Sequence, residues 1–264
     1  MDSTFVIKLV LSFLVGGLWA IVVSVLADKF GSKIGGLIAG LPSTLLLGLF
    51  FLGWTQNPAA AIAATGVVPI AGIMSNVFLL FYVLLINSGL VISLIVSFLI
   101  WGVLAALVII NPVNNFNLSF LAYLFSVAIV YRLMDRWLKI RSVTGSKIHY
   151  TPAILIVRGL ISGSIVSLAV FLAKIGGPVF GGIFSMFPAM FSSTLIITYY
   201  SQGLVFSKAV AKSILVSGIS VVVYSIGVRL TYLSFGLITG TLLSMLLSIV
   251  TSYFIYRVVL KKLS

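Results

Sequence analysis

A pattern of glycines with one proline and one glutamine occurs twice in this chain of 264 residues, at a constant offset of 146 positions. The matched pairs are Gly17 and Gly163, Gly35 and Gly181, Gly36 and Gly182, Pro42 and Pro188, Gln56 and Gln202, and Gly72 and Gly218. Glycine and proline restrict where a backbone can turn, so matches of these residue types in one register indicate a duplicated structural unit. The chain is therefore predicted to fold as two copies of one unit.

The rest of the sequence is strongly apolar. Hydrophobic residues make up 61% of the chain, charged residues make up 7%, and the mean hydropathy is +1.31. A soluble domain has about 25% charged residues. Apolar runs of about 20 residues, the length that crosses a bilayer as a helix, follow one another almost without interruption. These features predict an all-α integral membrane protein whose main partner is the lipid bilayer.

Side chains that could act as acids, bases or metal ligands are scarce in this chain. It has no cysteine, one histidine (His149) and three carboxylates (Asp2, Asp28 and Asp135), and it contains no nucleotide-binding fingerprint. With so few candidate ligands, acids and bases, we expect no catalytic residue, no cofactor and no metal site, and hence no enzyme. The net charge of +13 is explained by membrane topology rather than by nucleic acid, because no hydrophilic region is long enough for a nucleic-acid-binding domain.

The apolar runs divide into about nine candidate membrane spans. They cover residues 5–27, 34–54, 59–84, 88–110, 118–134, 152–173, 179–200, 206–228 and 233–258. If the N-terminus lies outside, twelve of the 16 lysines and arginines fall at inside ends, Lys8, Lys174 and Arg229 fall outside, and Arg158 lies within the sixth span. Because basic loops stay in the cytoplasm, this pattern predicts an external N-terminus and a cytoplasmic C-terminus in the plasma membrane.

The repeat and the span count together predict a domain organisation. Residues 1–112 form a first repeat of four helices, residues 113–150 form a linker helix with a cytoplasmic loop, and residues 151–264 form a second repeat of four helices. A single linker span turns the second repeat upside down relative to the first. We therefore expect a 4+1+4 inverted repeat with a pseudo-two-fold axis in the membrane plane, as in many secondary transporters.

Spans two and seven each begin with two glycines and reach a proline six residues later, followed by hydroxyl side chains. A proline removes a backbone donor and leaves a carbonyl free near the middle of the membrane, which is tolerated where protein or a cavity supplies a partner. Alternatively, the prolines only kink the helices, the glycines only allow close packing, and the hydroxyls bond to nearby carbonyls. The candidate substrate-binding residues at these breaks are Pro42, Ser43, Thr44, Pro188, Ser192 and Ser193.

Arg158 completes the set of candidate substrate-binding residues. It lies roughly 10 Å inside the sixth span at 1.5 Å per residue, where an ionisable side chain is a functional candidate. The alternative is that its guanidinium snorkels back to the cytoplasmic headgroups. Lys212 has the same two alternatives, with a solvated end favoured, and Asp135 beside Arg136 is expected at the cytoplasmic rim. The few buried ionisable groups are cationic, which favours an anionic or amphipathic substrate.

The segment 28–44, DKFGSKIGGLIAGLPST, resembles small bacterial membrane proteins of the GlpM and DUF3147 type. Such proteins are single units of about four spans, with a glycine-rich helix entrance that leads to a proline. The resemblance implies that the chain is a tandem, inverted duplication of such a unit, with the segment from Gly181 to Pro188 as the second copy's version. It implies an architecture and brings no transported substrate with it.

Two functions from different classes fit this sequence. The first is a secondary transporter or lipid-type flippase for a small anionic or amphipathic substrate, working by alternating access between the repeats. The alternative is a non-transporting membrane scaffold or an assembly factor for envelope synthesis. The sequence leaves the oligomeric state open.

Overall fold

The computed structural model describes residues 3–29, 41–113, 115–141, 150–255 and 257–258. These residues are helical apart from short turns and connections, and no strand occurs among them. Several helices are apolar and long enough to cross a membrane. The predicted helical fold, with helices suited to a membrane, is therefore confirmed. Some positions named in the sequence analysis lie outside the described residues, namely Asp2, Gly35, Gly36 and His149.

The described residues of the first half of the chain form five helices. They are α1 (Ser3–Lys29), α2 (Ser43–Thr55), α3 (Pro58–Thr65), α4 (Val68–Leu85) and α5 (Leu90–Ile110). Proline occupies the first position of α3, where its missing N–H costs nothing, and the side chain of Asn57 accepts a hydrogen bond from the backbone N–H of Ala60 at 2.8 Å. Gly89, with φ of 116°, separates α5 from the 3-10 turn that ends α4.

The described residues from Phe116 onward form four further helices. They are α6 (Phe116–Arg132), which continues into a π-helical turn (Leu133–Trp137), α7 (Pro152–Gly176), α8 (Pro178–Ser185) and α9 (Ala189–Ile255). Helix α9 is broken twice, at Gly203 (φ 83°) and at Gly236 (φ 74°). We call its three parts α9a (189–202), α9b (204–235) and α9c (237–255). Positive φ angles with extended ψ are accessible almost only to glycine, so these two residues define the breaks.

Several predicted spans differ from the observed helices. The third span is interrupted between Thr65 and Val68, and the seventh is broken at residues 186–188. The eighth and ninth spans, expected as separate helices, are joined through Gly236 without a loop. Six described segments are long and apolar enough to cross a membrane, and the last of them runs from Pro178 to Ile255 and contains three breaks.

Two pairs of helix starts lie about 146 positions apart, the offset of the matched sequence pattern. Helix α2 begins at Ser43 and α9a at Ala189, which are 146 positions apart, and each follows directly after a proline. The positive-φ glycines before α5 and α9c, Gly89 and Gly236, are 147 positions apart. At these two places the matched sequence pattern is accompanied by matched helix starts.

Helices α1 and α7 pack so closely that their backbones are in contact. A Cβ atom placed on Gly17 would lie 2.9 Å from the carbonyl oxygen of Gly159, and one placed on Gly163 would overlap the carbonyl oxygen of Phe13. The earlier residue of α1 faces the later residue of α7, so the two helices run antiparallel. Only small residues allow backbones to approach this closely.

Helix α6 packs against α4 and against α9. The ring of Tyr123 is 1% exposed and packs against Gly72 of α4, where an added Cβ would lie 2.7 Å from Cε2. The hydroxyl oxygen of the same tyrosine would lie 3.2 Å from a Cβ on Gly218 of α9b. These two glycines form one of the matched pairs in the sequence, and both contact the same tyrosine.

Candidate functional site

The clearest irregularity of the backbone is the break between α8 and α9a. The last turn of α8 closes through hydrogen bonds from Met186 N to Ile183 O (3.0 Å) and from Phe187 N to Phe184 O (3.1 Å). Pro188 follows, and it cannot donate a helical hydrogen bond. Helix α8 has eight residues, so it is about 12 Å long, less than half of the roughly 30 Å of a bilayer's hydrocarbon core.

Hydroxyl groups next to this break bond to its carbonyls. The Ser192 hydroxyl donates to Pro188 O at 2.6 Å, and the Ser193 hydroxyl donates to Met190 O at 3.0 Å. Both donors are therefore used within α9a, as the alternative interpretation of these hydroxyls expects, while each oxygen keeps lone pairs that can accept. The structure places these two serines beside the break.

The first half presents the corresponding proline at the start of α2. Pro42 and Ser43 are buried, Thr44 is half-buried, and the Ser43 hydroxyl lies 3.4 Å from Leu41 O. One and a half turns further along α2, Gly48 packs against Ser185, the last residue of α8. Helix α2 of the first half is thus brought directly against the break of the second half.

Aromatic rings of α5 close the break from the other side. The ring of Phe187 stacks on Phe98 with centroids 5.4 Å apart and meets Trp101 edge-on at 5.0 Å. Trp101 is 3% exposed, and its Nε1 has no hydrogen-bond partner among the described atoms. The break is therefore enclosed by protein on both sides, as irregular backbone within a membrane requires.

Arg158 lies inside the protein where α1, α7 and α9a meet. It is 5% exposed, its Nε donates to the hydroxyl of Ser24 at 3.1 Å, and its Nη1 donates to the hydroxyl of Thr194 at 3.2 Å. Its Cζ lies 5.3 Å from the centroid of the Tyr150 ring, a cation–π distance. Since Ser24 belongs to the first half and Thr194 to the second, the guanidinium joins the two.

The expectation of a solvated Lys212 is wrong. Lys212 is 4% exposed, and its Nζ lies 2.6 Å from Asp135 Oδ1 and 2.8 Å from the carbonyl oxygen of Ile140. The ring of Tyr131 lies 4.9 Å from the same nitrogen. The π-helical turn after α6 folds over α9b and encloses the ammonium, a contact between residues far apart in the chain that no local pattern could reveal.

The candidate residues of the second half thus fall into two groups that share α9a, while Pro42, Ser43 and Thr44 lie at the start of α2. Pro188, Ser192 and Ser193 lie at its beginning, and Thr194, one residue further, contacts Arg158. Sequence reasoning missed Ser24 and Tyr150 as neighbours of Arg158. A lone serine in an apolar helix and a tyrosine at the end of a polar loop carry no signal of this kind by themselves.

A comparison with protein families agrees with the predicted resemblance. Residues 9–113, which are 105 of the 264 residues, match the sequence model of a family described as protein of unknown function (DUF3147). The matched segment includes most of α1 and all of α2 to α5. No curated protein and no solved structure matches the chain. Residues 9–113 are therefore similar to the DUF3147 family.

Proposed function

We propose that the protein is a secondary transporter or lipid-type flippase that works by alternating access between two inverted repeats in the plasma membrane. The repeats are residues 1–112 and 151–264, and residues 113–150 join them. In this arrangement the chain crosses the membrane about nine times, with the N-terminus outside and the C-terminus in the cytoplasm. The substrate is a small anionic or amphipathic molecule.

The observation that carries this proposal is the reciprocal contact between α1 and α7. Phe13 faces Gly163 and Gly17 faces Gly159. Adding the repeat offset of 146 to Phe13 and Gly17 gives positions 159 and 163, so exchanging the two halves turns one contact into the other. Such an exchange is a two-fold rotation. Because the helices are antiparallel, its axis is perpendicular to them, and for membrane-crossing helices it lies in the membrane plane.

The helix breaks support a central pathway between the repeats. The break at residues 186–188 follows a helix too short to cross the bilayer, and the matched Pro42 precedes α2, which packs on that break. Transporters with inverted repeats place substrate sites at such discontinuous helices near the midplane. The residues assigned to the pathway are Pro42, Ser43, Thr44, Arg158, Pro188, Ser192 and Ser193.

Charge and family support the same arrangement. Lysines and arginines at the proposed inside ends outnumber those outside by twelve to three. The segment that matches DUF3147 ends at residue 113, one residue after the proposed end of the first repeat. A unit that matches a family model by itself is what a duplicated chain is expected to contain.

Alternating access is testable by thiol labelling because the chain has no cysteine. Single variants Ser185→Cys and Ser192→Cys place a thiol on either side of the break. A small, charged, membrane-impermeant thiol reagent is applied to right-side-out and to inside-out vesicles. We expect each thiol to react from both faces, since the site opens alternately to each. Leu99→Cys on the apolar surface of α5 serves as an unreactive control, and Trp137→Cys, 80% exposed, serves as a control that reacts from one face.

The result separates the two functional classes. If neither break thiol reacts from either face while Trp137→Cys does, the break is a sealed packing feature and the non-transporting scaffold is favoured. Reaction from one face only would indicate a one-sided cavity, which contradicts alternating access.

A further inference from the structure

The segment that follows α6 is held against the rest of the protein. The backbone N–H of Leu138 donates to Leu133 O at 3.0 Å and closes the π-helical turn. The backbone N–H of Ile140 then donates to Met134 O at 2.9 Å. Lys139, between these two donors, has a φ of 51°, a left-handed conformation that turns the chain back. Because the side chains of Met134 and Ile140 are buried, the segment has a fixed inner side.

An ion pair with α9b fixes the same segment and compensates its negative charge. Asp135 Oδ1 lies 2.6 Å from Lys212 Nζ, and the same ammonium donates to the carbonyl oxygen of Ile140 at 2.8 Å. Residues 132–141 and Lys212 together contain five cations and one carboxylate, so four positive charges remain uncompensated. The residues that carry them are Arg132, Arg136, Lys139 and Arg141.

These four residues, which we call the basic surface, are all exposed. Their side chains form no hydrogen bond and no ion pair with the described part of the chain. Trp137 lies among them and is 80% exposed, and Leu138 beside it is 37% exposed. The outer side of the segment thus combines unpaired cations with a large exposed aromatic ring.

The basic surface lies at the end of an apolar segment of membrane-spanning length. The segment Phe116–Trp137 has 22 residues, which is about 33 Å at 1.5 Å per residue. This length matches the roughly 30 Å of a bilayer's hydrocarbon core, so the end of the segment lies at the level of the lipid headgroups. Tryptophan is enriched at this level because its ring is apolar and its N–H is polar.

We propose that the basic surface binds the headgroups of anionic phospholipids, with Trp137 inserted at the membrane interface. Each guanidinium presents parallel donors that fit the oxygens of a lipid phosphate. Because the ion pair already fixes the segment, binding orders little additional chain. The exposed ring at headgroup level favours a lipid over an acidic soluble protein as the partner. The proposal is independent of transport, and the proposed orientation only assigns the surface to the cytoplasmic leaflet.

Lipid contact is tested by tryptophan quenching in the purified full-length protein. The protein is reconstituted into phosphatidylcholine nanodiscs with a rising fraction of brominated phosphatidylglycerol or, in a parallel series, of brominated phosphatidylcholine. The bromines are placed near the headgroup end of the acyl chains. The chain has four tryptophans, so the signal of Trp137 is the difference between the wild type and Trp137→Phe. We expect quenching at a lower fraction of phosphatidylglycerol than of phosphatidylcholine, with a difference that shrinks at high salt.

Variants distinguish the basic surface from the overall charge of the protein. Arg136→Gln should lower the preference for phosphatidylglycerol several-fold, at most about fivefold, which is the effect of one basic residue near an anionic leaflet. The double variant Arg136→Gln with Arg141→Gln should lower it further. Lys174→Gln removes one exposed charge in the last turn of α7, so it is the matched control and should keep the preference of the wild type.

Three results would overturn the proposal. The first is equal quenching of Trp137 by the two brominated lipids. The second is an equal loss of preference in Arg136→Gln and Lys174→Gln, which would show an effect of net charge alone. The third is the absence of quenching by either lipid, which would mean that the surface faces water and would favour an acidic soluble partner. Thiol labelling at the break requires no anionic lipid, so its outcome distinguishes failure of lipid binding from failure of alternating access.

Discussion

Replacing Gly17 by alanine tests the close packing of α1 on α7. The added Cβ would lie 2.9 Å from Gly159 O and 3.3 Å from Gly159 C, both backbone atoms that cannot rotate away. An ordinary carbon contact begins at 3.4 Å, so the two backbones must separate by about 0.5 Å. Overpacking of this kind costs about 1–3 kcal/mol, and removing a glycine from a helix returns about 0.5–1 kcal/mol. We expect Gly17→Ala to lower the free energy of unfolding by about 1 kcal/mol, within a range of about 0–2.5 kcal/mol.

The matched control is Gly102→Ala in α5. Gly102 is exposed, and nothing lies within 4 Å of its added Cβ. At this position only the higher helix propensity of alanine acts, so this variant should be more stable than the wild type by about 0.5–1 kcal/mol. The double variant Gly17→Ala with Gly163→Ala should lose less than the sum of the single losses, because the first separation relieves the second overlap.

Reversible unfolding of the reconstituted protein with increasing SDS fraction measures these free energies. Equal stability of Gly17→Ala and Gly102→Ala would refute the argument, since the two differ only in what the new methyl group meets. Strict additivity in the double variant would show that the contacts at Gly17 and Gly163 are independent and would weaken the two-fold relationship.

Three further predictions concern other parts of the molecule. Asp135→Ala should lower the free energy of unfolding by about 1–3 kcal/mol, because it leaves the buried ammonium of Lys212 unpaired. Lys212→Met should cost less, because the carboxylate that it leaves unpaired is 43% exposed and can be hydrated. The opposite order in the same unfolding assay would contradict this. Gly236→Ala should lower the free energy of unfolding by about 1–3 kcal/mol in the same assay, because a φ of 74° disfavours any residue with a side chain. Nothing lies near the added Cβ, so the loss is due to the backbone conformation alone. An unchanged stability would mean that the break does not depend on glycine. An impermeant thiol reagent should label Val113→Cys from outside only and Leu138→Cys from inside only, and the reverse pattern would invert the proposed orientation.

Helix class and several helix ends could be predicted from the sequence because they depend on local properties. Apolar runs of bilayer length have few alternatives to helices, since a helix satisfies its own backbone hydrogen bonds. Asn57 with Pro58 starts a helix wherever it occurs in such a chain, and prolines and positive-φ glycines end them. The DUF3147-like character of residues 9–113 is also visible in the sequence, as a short glycine-rich segment leading to Pro42.

What only the tertiary structure decided is which polar groups meet. Lys212 and Asp135 are 77 positions apart, and Arg158 and Ser24 are 134 positions apart. A serine or a lysine in an apolar helix looks the same whether it faces lipid, solvent or another helix, because helical periodicity is lost when nearly every neighbour is apolar. Burial of Arg158 among hydroxyls follows from the way α1, α7 and α9a cross, and that crossing depends on backbone contacts at Gly17 and Gly163, which become specific only when the two helices are placed together.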